Sequence, residues 1–150
     1  MDLVKSLRPV SVVEVGCGLG DILSRVRARK RFGFDIDSSA IRAARILHPG
    51  RTHWINGDAG AIESNLPPGL RIDCLIMVNW IHNLSPEQLA ASVLPILPRA
   101  RYVLLDSVDA DALAPRRFQH DFEFLSGVAE RISVTRAAGE PRDFVLFKVV

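Results

Sequence analysis

The segment Glu14-Val15-Gly16-Cys17-Gly18-Leu19-Gly20 constrains this chain more than any other stretch. A β-branched run, Val10-Ser11-Val12-Val13-Glu14-Val15, leads into it. Asp21 to Arg29 follows as a helix, with Ile22, Leu23 and Val26 on one face. Glycines at such a strand-to-helix turn permit φ > 0 and let a ligand touch the backbone. Their spacing narrows the ligand. A dinucleotide fingerprint needs a glycine three residues after its second glycine. Here that position is Asp21, and the third glycine arrives one residue early, at Gly20. An acid at that place would also face a pyrophosphate badly. A Walker A loop needs Gly-Lys-Ser/Thr, which the sequence lacks. The loop therefore suits a nucleoside-like ligand without phosphates.

The rest of the chain repeats the alternation. Strands are predicted at Arg31–Asp35, Thr52–Asn56, Ile72–Val78 and Arg101–Asp106. The run Ile72-Asp73-Cys74-Leu75-Ile76-Met77-Val78 is nearly continuously apolar, as buried parallel strands are. Ser38 or Ser39 can cap a helix running to Leu47, which His48-Pro49-Gly50 stops. Ser85-Pro86-Glu87-Gln88 starts another, with cap, proline and capping-box glutamine in place; Pro95 interrupts it and it ends near Pro98. Arg116 to Val128 reads as a helix with Phe118, Phe122 and Leu125 on one face. Strands Ala129–Arg136 and Asp143–Val150 are joined too closely for a crossover helix, so they should be antiparallel neighbours. The expected fold is α/β: a three-layer Rossmann-like sandwich around a seven-stranded, mostly parallel sheet that ends in an antiparallel hairpin.

Length and charge agree. At 150 residues with 48% hydrophobic content, the chain is one domain, 1–150, with a sizeable core and no need of disulfide or metal. Nineteen basic and seventeen acidic residues leave a net charge of +2, too mild to argue for a nucleic-acid partner. The cluster Arg25-Arg27-Arg29-Lys30-Arg31 reads as a solvated helix end, where cations complement the dipole, or as a patch for an anionic substrate or RNA. Cys17 and Cys74 form no CxxC, and the four histidines show no metal-site spacing. No apolar run is long enough to span a membrane and no leader precedes the first strand, so a cytoplasmic protein is expected.

In sheets of this kind ligands bind at the carboxyl ends of strands, near the topological switch point. Two acids sit at such ends. Asp35 closes the second strand, where a carboxylate can accept both hydroxyls of a ribose. Asp58 follows the third and can accept from an adenine amino group. Together with the glycine loop, the sequence resembles the class I S-adenosylmethionine-dependent methyltransferases over essentially its whole length. The resemblance is most specific at Glu14-Val-Gly-Cys-Gly-Leu-Gly20, Phe34-Asp35-Ile36-Asp37 and Asn56-Gly57-Asp58-Ala59. It implies S-adenosylmethionine as cofactor. It places Glu14, Gly16, Cys17, Gly18 and Gly20 along the methionine and ribose parts, Asp35 on the ribose hydroxyls, Ile36 on the adenine ring, and Asp58 with the Ala59 amide at the adenine edge. Asp37 competes with Asp35; the first acid after the strand is preferred. Asn79, ending the fourth strand, is expected to touch the cofactor through its backbone or amide.

The acceptor side is read from Asn79-Trp80-Ile81-His82-Asn83-Leu84. Relatives that methylate nucleobase amino groups carry Asn/Asp-Pro-Pro-aromatic here, and this chain has no Pro-Pro. His82 is positioned to take a proton from a hydroxyl, or to cap the following helix. His120 beside Asp121 is an oriented base or part of a polar helix face. Asp106, ending the fifth strand, falls in the same zone. Trp54 and Trp80 are core residues or ligand contacts, a choice that exposure decides. The resulting expectation is a methyltransferase acting on a hydroxyl of a small-molecule or glycan-type acceptor, with His82, His120 and Asp106 as catalytic candidates. Alternatives are a non-catalytic or partner-dependent cofactor-binding subunit, and an RNA methyltransferase using Arg25–Arg31 and Arg116–Arg117. Only about eight residues precede the first strand. The pocket is therefore expected to be open, closed by a large acceptor, a homodimer or a partner chain.

Overall fold

Seven strands form one sheet in the computed structural model, which describes residues 2–113 and 117–150. They are β1 (Ser11–Val15), β2 (Lys30–Asp35), β3 (Thr52–Asn56), β4 (Ile72–Met77), β5 (Ala100–Val108), β6 (Ala129–Arg136) and β7 (Arg142–Val149). Their order is β3-β2-β1-β4-β5-β7-β6. The first five are parallel, and β7 lies antiparallel to both β5 and β6. All five residues of β1 are buried, as expected of a central strand covered on both faces. The chain leaves β1 toward β2 and β3, then returns to β4 on its other side. That reversal opens a crevice beyond the carboxyl ends of β1 and β4.

Helices cover both faces. Helix α1 (Asp2–Ser6), α2 (Asp21–Ser24) and α3 (Ser38–Leu47) pack Val4, Leu23, Ile41 and Ala44 against Val12, Cys74, Ile76 and Leu104. On the opposite face α4 (Ile62–Asn65) and α5 (Pro86–Val93) bring Ile62, Leu89 and Val93 onto Val13, Phe34, Leu75 and Leu105. This is the expected three-layer sandwich. The capping box of α5 is present in full: the Gln88 amide donates to Ser85 Oγ, and the Ser85 amide donates to Gln88 Oε1. No helix among the described residues is long and apolar enough to cross a membrane.

Three local expectations need correction. Helix α2 ends after Ser24, because the Arg25 and Val26 amides bond three residues back and turn the chain toward β2. Leu23 and Val26 are buried as expected, but Arg25–Arg31 spans a turn and the start of β2 rather than a helix end. Helix α3 is capped by Asp37, whose carboxylate accepts the Ser39 amide at 2.7 Å, and not by a serine. The largest departure is the segment expected as a helix from Arg116 to Val128. Arg116 lies outside the described residues. From Arg117 to Phe122 there is no helix, and only the 3-10 turn Glu123–Leu125 follows. Phe122 sits at φ +65°, which no helix interior accommodates. The backbone of this strap instead bonds to the β4–α5 connection, with the Phe118 amide donating to the His82 carbonyl at 2.9 Å.

Candidate functional site

The glycine loop is tied to the end of β2. The Gly16 and Cys17 amides both donate to the Phe34 carbonyl, at 2.7 and 3.0 Å, and the Gly20 amide closes the turn onto the Cys17 carbonyl at 2.8 Å. Gly16 adopts φ +72°, where side chains are costly, and its Cα face is filled by the Trp80 indole. A Cβ at Gly16 would overlap that ring. Trp54 fills the equivalent space beside Gly20 and Gly33 and is 6% exposed, which makes it a core residue. Trp80 is half-buried and faces a cavity.

That cavity, about 690 Å³, lies beyond the carboxyl ends of β1, β2 and β3. Val15, Gly16, Asp35, Ile36, Gly57, Asp58, Ala59 and Gly60 line one side. Trp80, Asn83, Leu84 and the α5 region Ala91, Ser92, Pro95 and Ile96 line the other. Its volume falls in the range of small-molecule and cofactor sites. A smaller cleft of about 430 Å³, bordered by Lys30, Pro67 and Arg71, sits at the amino ends of β1 and β4, away from every expected site residue.

Asp35 is aligned at the cavity by the backbone. Its Oδ2 accepts the Gly18 amide at 2.8 Å and its Oδ1 the Asp37 amide at 2.9 Å. A carboxylate oxygen has two acceptor positions, so each retains one for a further donor. Asp37, engaged as the cap of α3, points its carboxylate at Ser39, so of these two acids it is Asp35 that lines the cavity. Ile36 is 78% exposed at the cavity wall. The loop carrying it is fixed by Asn56, whose Nδ2 donates to the carbonyls of Asp35 and Ile36 at 2.9 Å each. Sequence reasoning missed this role, although Asn56 sits at the same strand end as Asp58. Asp58 accepts the Gly60 amide on Oδ1 at 2.9 Å and caps the 3-10 turn Ala59–Ala61, where the first amides of a helix lack intrahelical partners.

Glu14 and Cys17 lie beneath the loop rather than on the cavity wall. Glu14 is 2% exposed, and burial pushes its carboxyl up to about 8, against a smaller opposing hydrogen bond from the Leu23 amide. Its Oε2 has no hydrogen-bond partner. Cys17 is buried, and burial pushes its thiol up to about 12, with the Glu14 and Asp35 charges adding to the effect. A thiol held protonated in this way packs and does not react.

The residues expected at the acceptor face form a separate cluster behind the cavity wall. His82, Asp106 and His120 are 2%, 0% and 4% exposed. The Asn79 amide donates to both Asp106 oxygens, at 3.0 and 3.1 Å. His82 Nε2 and Arg142 Nη1 each approach Asp106 Oδ2 to 3.5 Å. His82 Nδ1 lies 3.0 Å from the Phe118 carbonyl, and His120 Nε2 lies 3.0 Å from that of Ile81. The two imidazoles are 5.6 Å apart, centroid to centroid. Burial pulls the His120 pKa below its usual value, so its ring is neutral near pH 7. This corrects the expectation of exposed proton-transfer groups: His82 Nδ1 and His120 Nε2 tie the strap to the β4–α5 connection, and His82 Nε2 is buried without a hydrogen-bond partner. Asn79, with φ +75°, is turned the same way, its side-chain oxygen accepting from Arg142. It shapes the connection and does not line the cavity. No spacing in the sequence announces Arg142, which reaches the cluster only because β7 inserts between β5 and β6.

The sequence matches no known family model and no curated protein. The structure is similar to solved ones. It superimposes on a magnesium protoporphyrin IX methyltransferase from Synechocystis with S-adenosylmethionine bound (TM-score 0.71, 18% identity, 99% of this chain and 77% of that one). It also matches the N-methyltransferase NodS from Bradyrhizobium japonicum with S-adenosylhomocysteine bound (TM-score 0.78, 14% identity, 98% and 83%). A third similar structure is an rRNA methylase from Streptococcus thermophilus (TM-score 0.72, 15% identity, 99% and 93%). This chain has the class I S-adenosylmethionine-dependent methyltransferase fold.

Proposed function

We propose that this chain binds S-adenosylmethionine in the 690 Å³ cavity and methylates a hydroxyl oxygen of a small-molecule acceptor. The observation that carries the reading is Asp35. Its carboxylate is oriented by two backbone amides, keeps an acceptor position on each oxygen, and opens onto a cavity that also presents Ile36, Asp58 and Ala59. Those groups match the donors and faces of an adenosine: two ribose hydroxyls for Asp35, an apolar ring face for Ile36, an amino edge for Asp58 and the Ala59 amide. Gly16 lines the same cavity, with the Trp80 indole lying against it. The bound cofactor supplies an electrophilic methyl group on a positively charged sulfur. The protein's contribution is alignment, and positioning alone lowers a barrier by several kcal/mol.

The three similar structures act, by name, on a porphyrin, as an N-methyltransferase and on rRNA, so the acceptor is argued from this chain. The missing Pro-Pro after Asn79 counts against nucleobase amino groups. Among the described residues lining the cavity, the ionisable side chains are Asp35 and Asp58, and both serve the nucleoside. His82, His120 and Asp106 act as positioning residues. The acceptor therefore brings a hydroxyl acidic enough to ionise without a base from these residues, as a phenol does. The test uses a radiolabelled methyl donor with a series of phenols of different acidity, neutral glycans and RNA. Transfer to phenols, with a pH–rate profile that follows each phenol's own ionisation, is expected. Transfer to RNA alone, or a profile governed by one enzyme group whatever the acceptor, would refute it.

A further inference from the structure

We infer that Trp80 is a specificity-determining aromatic wall that raises affinity for the positively charged sulfur of S-adenosylmethionine relative to the neutral sulfur of S-adenosylhomocysteine. The inference rests on the cofactor reading above. The cavity has two ends: β2 and β3 supply Asp35, Ile36 and Asp58, while β1 and the β4–α5 connection supply Val15, Gly16 and Trp80. With the nucleoside held at the first end, the sulfur carried on the ribose 5′ carbon comes to the second. There the described lining offers no ionisable group, and the indole, with Asn83 and Leu84 of the same connection beside it, supplies the aromatic surface.

The ring is held in place in advance. Its Nε1 donates to the Val15 carbonyl at 2.6 Å, and its pyrrole edge lies on Gly16, where only a glycine leaves room. The preceding residue, Asn79, is locked at φ +75° by its amide bonds to Asp106 and its side-chain bond to Arg142. Indole is the strongest of the side-chain rings as a cation partner. Adenosine, ammonium and carboxylate are common to both ligands, so the difference between them is confined to the methyl group and charge on sulfur. A wall that responds to that charge holds the spent cofactor less tightly than the fresh one.

The test measures dissociation constants of both ligands by calorimetry for the wild type, Trp80→Phe and Trp80→Leu. In Trp80→Leu the ratio Kd(S-adenosylhomocysteine)/Kd(S-adenosylmethionine) should fall by about 2- to 30-fold. Trp80→Phe, which keeps a ring but loses the bond to Val15, should retain part of the ratio. Should Trp80→Leu not fold cooperatively, Trp80→Met takes its place. Equal weakening of both ligands in the aliphatic variant, or equal ratios in the phenylalanine and aliphatic variants, would overturn the inference. A wild type that binds neither ligand would instead sink the cofactor reading, and this inference with it.

Discussion

Replacing Asp106 with alanine tests how the cavity wall is held. The carboxylate is fully enclosed and accepts the Asn79 amide on both oxygens, with His82 Nε2 and Arg142 Nη1 at 3.5 Å. Asp106→Ala leaves the Asn79 amide without its acceptors, which costs about 1–3 kcal/mol. It also leaves the Arg142 guanidinium without its buried counter-charge. Losing one partner of a buried pair costs about 3–5 kcal/mol in full burial. Arg142 is 24% exposed and has Glu140 3.5 Å away, so the lower part of that range applies. The two losses overlap because they concern one carboxylate, and a total of about 3–4 kcal/mol follows. For a chain of this size that is a Tm lower by roughly 6–16 °C. Asp106→Asn keeps an acceptor for Asn79 and should lose about half as much. Urea unfolding followed by circular dichroism at pH 7.5 gives both numbers. An alanine variant within about 1 kcal/mol of wild type would refute the reasoning.

Gly16→Ala should cost stability and cofactor binding together, because φ +72° strains the new residue and its Cβ displaces the Trp80 ring. A variant with S-adenosylhomocysteine affinity unchanged, measured by calorimetry, contradicts the placement of that ring. Glu14 gives a pH signature. Its carboxyl, ordinarily near 4.5, is pushed up to about 8 by burial. The folded chain keeps this proton where the unfolded chain has released it. The stabilising contribution is complete below about 4.5 and is lost as pH rises toward about 8. Glu14→Gln should therefore gain stability over wild type progressively from pH 5 to pH 8 in urea unfolding. An offset that does not vary with pH contradicts the shift.

The sheet was legible because its strands carry their burial in their composition. The nearly continuous apolar run of β4 and the full burial of β1 both follow from cover on both faces, and the tight connection 137–141 forces an antiparallel pair. That Gly16, Asp35 and Asp58 line one cavity was legible because each follows or closes a neighbouring parallel strand. The acceptor side was not. Phe118, Phe122 and Leu125 recur at helical spacing, yet Phe118 is 40% exposed while His120 and Phe122 are buried. The burial alternates because the strap bonds to the β4–α5 connection, a contact between segments far apart in sequence. His82, His120 and Asp106 were read as chemistry for the same reason: a polar side chain at a strand end looks alike whether it serves a substrate or a buried partner. The far cavity wall, Leu84, Ser92 and Ile96, had no signal beyond the helix that carries it.

The central claim is that the glycine loop, Asp35 and Asp58 make an adenosine-type site for S-adenosylmethionine. The most direct test is a thermal unfolding scan with S-adenosylhomocysteine, with NAD as control. At 100 times the dissociation constant, binding stabilises by ~2.7 kcal/mol. That raises Tm by roughly 5–11 °C at this length. The account predicts that shift with S-adenosylhomocysteine and none with NAD. No shift with S-adenosylhomocysteine, or an equal shift with NAD, would contradict it.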